Sequence, residues 1–362
     1  ILINFVKNNN LMHSSIKLIK RKVSKIKTID FDNFSFGSVF TDHMFECDFI
    51  DGEWINPVIK PYKKIELEPS ASVFHYGQAV FEGMKAYKDK DDNVWLFRPD
   101  QNFSRINKSS ERLAIPKFSK AIFFDALKKL INLERDWIKK GEGKSLYIRP
   151  FVIANQYAIQ ASPSSTYKFM IICAPATLYY TKKLKVLIAD KYSRAASGGV
   201  GYAKAAGNYA GQFFPTNLAK KQGFDQIIWT DSNEHKYLEE AGTMNVFFRI
   251  NDSLVTAPIT DTILDGVTRK SIIQIANDMG ITVEIKKISA NELIDSAKKG
   301  ELKEIFGAGT AAVVSEIKGF QYKNQYYELS NIDNSYAKIL KDELVGIQTN
   351  SRPDIHNWRF KI

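Results

Sequence analysis

The chain has 362 residues, 44% hydrophobic and 25% charged, the balance of a soluble globular protein with core enough for about two domains. Its longest mainly apolar stretch, Phe169 to Ala176, is far short of the roughly 20 residues of a membrane helix. Two cysteines, Cys47 and Cys173, can form neither a disulfide framework nor a cysteine-rich zinc site. The net charge of +11 is local: residues 1–29 carry seven Lys/Arg and no Asp or Glu, which leaves +4 for the rest. The basicity therefore reads as an N-terminal tail, expected to be mobile, and not as a nucleic-acid-binding face. An organellar transit peptide is basic and acid-poor in the same way, but this segment has one Arg and no Ala. A reducing, cytoplasmic setting is the default expectation.

Ordered structure is predicted to begin near Phe31. Val39–Ile50 and Trp95–Arg98 read as strands, the second after an acidic turn at Asp89–Asn93. Phe103 to Ile115 has helical spacing and stops before Pro116. Ser119 can cap a helix whose apolar stripe runs from Ile122 to Trp137, with Gly141 ending it. Leu146–Val152 and Lys168–Ala174 are short strand-like runs. Residues 177–183 break the pattern and read as an interdomain linker, between a small α/β domain at 30–176 and a larger one at 184–362. Within the second, Val186–Ala189 and Gln226–Thr230 are predicted strands around a helix from about Asn208 to Gln222. Met244–Ile250 and Ser253–Thr256 form a hairpin turning at Asn251–Asp252. Thr268 can cap a helix ended by Gly280, and Ser289 with Glu292 makes a capping box. Strands and helices interleave, so the class is mixed α/β.

Chemistry concentrates in a few stretches. Ser193 to Tyr209 follows a strand and precedes a helix, with Gly198, Gly199 and Gly201 allowing tight turns. Lys204 sits there among Ala, Gly and Tyr, where a desolvated amine serves as a nucleophile. A phosphate-binding P-loop fails on the residues, because Ala203 and Ala205 flank that lysine. In Leu238 to Phe247 two acids lead into an apolar run. One of them is expected to point inward, where a buried carboxylate needs a cationic partner; Glu239 reads as solvated, and Glu240 reads either as the inward acid or as a second solvated loop carboxylate. Gly266-Val267-Thr268-Arg269 opens a helix and Gly307 to Ala312 is a small-residue loop, both suited to holding anions. Tyr147 and Arg149 share one face of a strand. Val73 to Lys85 mixes aromatic with small residues, and His75 in it reads as a structural histidine. No His/Cys/Asp cluster has metal-ligand spacing.

Seven of these pieces, in order and spacing, resemble the branched-chain amino-acid aminotransferases, fold-type IV pyridoxal-phosphate enzymes: HYGQAVFEGMKAY, LFRPDQNFSRI, SLYIRPF, SRAASGGVGYAKAAGNY, EEAGTMNVFF, LDGVTRKSI and GAGTAAVV. The resemblance implies a two-domain fold of the D-amino-acid-aminotransferase type, with the site between the domains. It implies pyridoxal 5'-phosphate as cofactor, L-leucine, L-isoleucine or L-valine and 2-oxoglutarate/glutamate as substrates, ping-pong kinetics and a homodimer. On it, Lys204 matches the lysine that holds the cofactor, Glu240 the partner of its ring nitrogen, and Tyr209 the tyrosine bonded to its ring oxygen. Arg105, Thr243, Val267, Thr268 and Thr310 match further cofactor contacts, mostly to the phosphate. Tyr76, Phe81, Gly83, Tyr147, Arg149 and Tyr179 match the substrate pocket, and Ala311 and Ala312 the loop facing the substrate carboxylate. Mammalian members carry a Cys-x-x-Cys pair after that loop; Ala312 and Ser315 stand at those positions. A D-amino-acid aminotransferase or an aminodeoxychorismate lyase would share the fold, and a non-catalytic cofactor-binding protein is a third reading.

Overall fold

Two hydrophobic clusters, one on each side of residues 177–183, organise the chain. The computed structural model describes residues 15–362. The first half is an open, mostly antiparallel sheet. Its strands run in the order Lys17–Leu18, Glu53–Pro61, His43–Ile50, Tyr167–Ala176, Ser145–Ala154, Met84–Lys88, Val94–Phe97 and Arg359–Lys361, and Ala79–Phe81 pairs beside Ser145–Ala154. Helices Pro99–Arg112 and Lys120–Leu133 accompany it. Ser119 caps the second helix as its sequence predicts, accepting from the Ile122 N–H. That helix ends at Leu133, and Trp137 lies in a following 3-10 turn with its indole N–H on Asp42.

The second half closes on itself. Gln226–Thr230, Leu184–Ile188, Val313–Tyr322, Leu302–Gly309, Met244–Ile250 and Leu238–Ala241 pair in sequence, and the last pairs back with the first. This six-stranded barrel leaves no free edge around its ring. Phe248, Val246, Ile228, Val186, Ile317 and Phe320 are buried in its cluster. Helices Ala206–Lys221, Val267–Asp278, Ala290–Lys298 and Tyr336–Gln348 accompany it. The Ser289–Glu292 capping box forms. Thr268 is not the cap of its helix: Gly266 holds that position and no side chain caps it, so the first-turn N–H groups keep their donors free.

The expectations about organisation change at the tail and at the chain end. Within residues 15–29 the tail is packed: Ile16 joins the first core, Lys17–Leu18 adds a parallel strand to Glu53–Pro61, and Asp42 accepts from Ser24 (2.5 Å) and the Lys25 N–H (3.0 Å). Its apolar Ile16 and a buried carboxylate with few other donors outweigh the surrounding Lys residues; residues 1–14 lie outside the described part. Glu53–Pro61 forms a strand although it contains Pro57, a residue that disfavours strand interiors. Pro57 is tolerated at a bulge, where Ile55 and Val58 register with Asp48 and Glu46 and the backbone of Asn56 is left-handed. The chain end is not part of the second half: Arg359–Lys361 pairs with Val94–Phe97, and Trp358 and Phe360 pack on Phe97 and Phe124.

Two expectations follow for stability and thiol chemistry. Deleting residues 1–27 exposes the Ile16 site, worth about 1.5–3 kcal/mol, and strips Asp42 of two donors at about 1–3 kcal/mol. The urea midpoint should fall by the equivalent of about 3 kcal/mol; an unshifted midpoint would show those contacts to be idle. Cys47 and Cys173 are buried, and burial pushes the Cys47 thiol up to about 12 and the Cys173 thiol well above its ordinary value. At pH 8 the Cys47 thiolate is then present in about one molecule in ten thousand. Native protein should resist alkylation, and mild peroxide should leave turnover unchanged. Reversible inactivation rescued by a thiol reductant would contradict this.

Candidate active site

The two halves meet along one seam. The helix Pro99–Arg112 presents Arg105, Ser109 and Arg112 on one side, at helical spacing. Arg105 donates to the Asp265 carbonyl (2.9 Å), Ser109 accepts from the Lys204 N–H (2.9 Å), and Arg112 donates to the carbonyls of Gly198 and Gly199. The strand Ala79–Phe81 adds a second line of contact: the Phe81 N–H donates to the Lys204 carbonyl (3.1 Å) and Val80 bridges to Ala205. The backbone of Lys204 is thereby fixed on both its N–H and its C=O by the other half of the chain.

A cavity of about 630 Å³ opens along this seam. Lys204 stands at its wall, half-buried, with Nζ donating to the Tyr209 hydroxyl at 2.7 Å and lying 4.7 Å from the centre of the Phe81 ring. Glu240 is 4% exposed. Its carboxylate forms an ion pair with Arg194 (2.8 Å) and accepts from Asn245 (3.0 Å) and the Leu264 N–H (3.3 Å). Burial still pushes its carboxyl up to about 7, against the pull of Arg194 and Leu264. A carboxylate so placed has room for one more cation.

Arg105, Val267, Thr268 and Thr310 lie together on another part of the wall. Arg105 is held by Glu82, which is wholly buried: Nε and Nη2 donate to its two oxygens at 2.6 and 2.9 Å. Burial alone would raise the Glu82 carboxyl, but the Arg105 charge overrides it and holds the group below its ordinary value. With three N–H groups engaged on Glu82 and Asp265, Arg105 keeps two of its five for the cavity. The uncapped N-terminus of Val267–Asp278 adds backbone donors beside it. Gly266 is glycine for a steric reason, since a Cβ there would overlap the Asn245 amide that supports Glu240.

The remaining wall is aromatic with one cation. Phe36 meets Tyr147 and Tyr179 edge-on at 5.0 and 5.1 Å. Arg149 donates to the Tyr147 hydroxyl (2.8 Å), lies 4.6 Å from the Phe81 ring centre, and leaves Nε buried without a partner. The strand that carries Tyr147 and Arg149 is flanked on both sides. A Cβ at Gly83 would overlap the Tyr147 hydroxyl. Tyr147 thus occupies the space a larger residue would take.

The structure brings together Lys204, Tyr209, Glu240, Arg105, Thr243, Val267, Thr268, Thr310, Phe81, Gly83, Tyr147, Arg149, Tyr179 and Ala311 around this cavity. Tyr76 and Ala312 do not line it. Tyr76 ends the short helix Ser72–Tyr76 with its ring 44% exposed and its hydroxyl on the Ile159 carbonyl. Ala312 ends the turn and faces a different cavity. Glu239 is half-buried and accepts from Thr262 (2.5 Å) instead of lying in solvent. Sequence reasoning did not assign Glu82 or Arg194. Glu82 lies three residues from Lys85 and Arg194 three from Lys191, so neither has the isolation that marks Lys204.

The family model described as amino-transferase class IV matches residues 79–320. A probable branched-chain-amino-acid aminotransferase of Staphylococcus epidermidis is 45% identical over 359 residues, covering 97% of this chain and 99% of the relative. Branched-chain-amino-acid transaminase 1 of Bacillus subtilis is 46% identical over 358 residues, 96% and 99% of the two chains. Among solved structures, the branched-chain amino acid aminotransferase of Thermobaculum terrenum, in its PLP (holo) form, shares the fold at a TM-score of 0.70 and 17% identity, over 88% of this chain and 98% of that one. The chain belongs to the class IV aminotransferases and, within them, to the branched-chain-amino-acid aminotransferase family.

Proposed function

We propose that the protein transfers the amino group of L-leucine, L-isoleucine or L-valine to 2-oxoglutarate, reversibly and by a ping-pong route, giving branched 2-oxo acids and L-glutamate. Pyridoxal 5'-phosphate is the cofactor in this reading. One juxtaposition carries it: an amine, a buried carboxylate and a cluster of anion donors all open on a single cavity. The donor set fits the group. The spare N–H groups of Arg105, the free N-terminus at Val267 and Thr268, and the Thr310 hydroxyl suit a phosphate. Glu240, with its carboxyl raised to about 7 in the absence of a further cation, suits a protonated ring nitrogen.

When bound, pyridoxal phosphate supplies an electron sink for the bond broken at the substrate α-carbon. The chain's own residues do the rest. Lys204 Nζ would hold the cofactor and, when free, moves the α-proton; Tyr209, at 2.7 Å, orients that nitrogen. Arg194 and Asn245 keep the Glu240 carboxylate aimed into the cavity. The aromatic wall of Phe36, Phe81, Tyr147 and Tyr179 accepts a branched apolar side chain and excludes water from it. The same wall must also accept the γ-carboxylate of glutamate, and Arg149 is the cation within it. Its stem lies along the Phe81 ring while its Nε has no partner.

Further parts of the reading concern the assembly and its setting. Phe74, Tyr76, Tyr157, Ile159, Phe213 and Phe214 are exposed, and Phe213 also lines the cavity. Apolar surface of this kind supports a homodimer with its interface near the site. Two buried, unpaired thiols support a reducing, cytoplasmic setting. Among the described residues no helix is long and apolar enough to cross a membrane.

Two substitutions test the chemistry. Lys204→Ala should lower leucine transamination by at least about four orders of magnitude and remove the borohydride-reducible protein adduct. A reduced adduct mapped to Lys85 or Lys270 would overturn the assignment. Arg149→Met should weaken the glutamate half-reaction by about 1.5–3 kcal/mol, the range for a hydrogen bond to a charge, and change the leucine half-reaction much less. Single-turnover rates separate the two halves; equal losses in both would make Arg149 a purely structural residue.

A further inference from the structure

Behind the turn at Thr310–Ala312 lies a second cavity of about 650 Å³, as large as the first. Ala311 and Tyr179 line both. On the wall of the second stands Lys85, 5% exposed, whose Nζ donates to the Ala311 carbonyl at 3.0 Å. That is one bond for three donors. Among the described residues Lys85 makes no ion pair, whereas Arg105 and Arg194 each have a carboxylate. Burial lowers the Lys85 ammonium to about 8, so near pH 7 it is still charged. Gln348 lines the same cavity, is buried, and leaves Oε1 without a partner. Around these polar atoms the wall is apolar, with Tyr87, Leu178, Tyr180, Val313 and Val345. Of the seven Lys/Arg in the lining, Lys88, Lys90, Lys140, Lys144 and Arg352 pair with carboxylates outside it, and among the described residues Lys85 and Lys341 have no ion pair. Asp89 is already committed to Asn93, Trp95 and Asn350.

A buried ammonium without a counter-ion, on the wall of a largely apolar chamber, is the recognition chemistry of an organic anion. We propose that this cavity is a second ligand site, which takes a small carboxylate with an apolar body and seats the carboxylate on Lys85. Gln348 Oε1 can accept from a donor on that ligand. Because the same ammonium holds the Ala311 carbonyl, an occupied site draws Lys85 away from the turn that borders the first cavity. Occupancy therefore alters turnover without filling the substrate pocket. The binding claim stands on the second cavity alone; its effect on turnover rests on the reading of the first as the active site.

The test uses 4-phenylbutanoate as probe and its neutral amide as control, by calorimetry on the purified full-length holoenzyme, alongside inhibition kinetics against L-leucine. The acid should bind saturably, with inhibition not relieved by excess L-leucine, and the amide should bind at least about tenfold more weakly, ~1.4 kcal/mol. Lys85→Met should weaken the acid by at least about tenfold. Val345→Phe fills the chamber from a residue outside the first cavity; it should abolish acid binding and keep leucine turnover. Absence of saturable binding up to about 10 mM overturns the proposal. So does inhibition that is purely competitive with leucine, or binding unchanged by Val345→Phe. Loss of the binding result with leucine turnover intact would remove this second site and leave the proposed reaction standing.

Discussion

The site depends on the clamp that fixes the Lys204 backbone. Its N–H is held by Ser109 and its carbonyl by Phe81, both from the first half of the chain, while the residue itself belongs to the second. Neither half alone can place the amine. Ser109 shares its helix face with Arg105 and Arg112, so one helix sets the amine, one cation of the cavity wall and the glycine loop together. A small rotation of one half against the other would displace all three at once, and reactive geometry tolerates little misplacement. The several hydrogen bonds across the seam, each worth about 0.5–1.5 kcal/mol net, therefore have a positional role larger than their contribution to stability.

Buried charge is the second constraint. The cavity region contains Arg105, Arg194, Arg149 and Lys204 against Glu82 and Glu240. An uncompensated buried ion costs several kcal/mol, so the excess of cations is tolerable where anions are to be received. Glu82 neutralises Arg105 with two of its N–H groups and leaves others for the cavity. Arg194 pairs with Glu240 by charge and donates to the carbonyls of Gly201 and Thr262, so it is anchored to two loops as well as to the carboxylate. Each pair thus fixes one member by the other while keeping part of the charge available.

The sequence by itself determined the fold class and marked most of the residues that line the candidate cavity. Residue types at fixed spacing carry these: a lone lysine in a Gly-rich strand-to-helix turn, two acids before an apolar run, a Tyr-x-Arg on one strand face, and caps such as Ser119 and Ser289 that act within a few residues. Local interactions decide such features, and local sequence records them. What only the tertiary structure decided involves partners far apart in the chain. Asp42 captures the tail at Ser24 and Lys25; the last strand, Arg359–Lys361, crosses back to Val94–Phe97; a bulge admits Pro57; and Glu82 reaches Arg105. Tyr76 and Ala312 sit beside site residues in sequence yet face elsewhere, since a helix end or a tight turn rotates a side chain away within one residue. Composition and spacing hold no record of which distant group will satisfy a buried charge, and that pairing is settled only when the two halves close on each other.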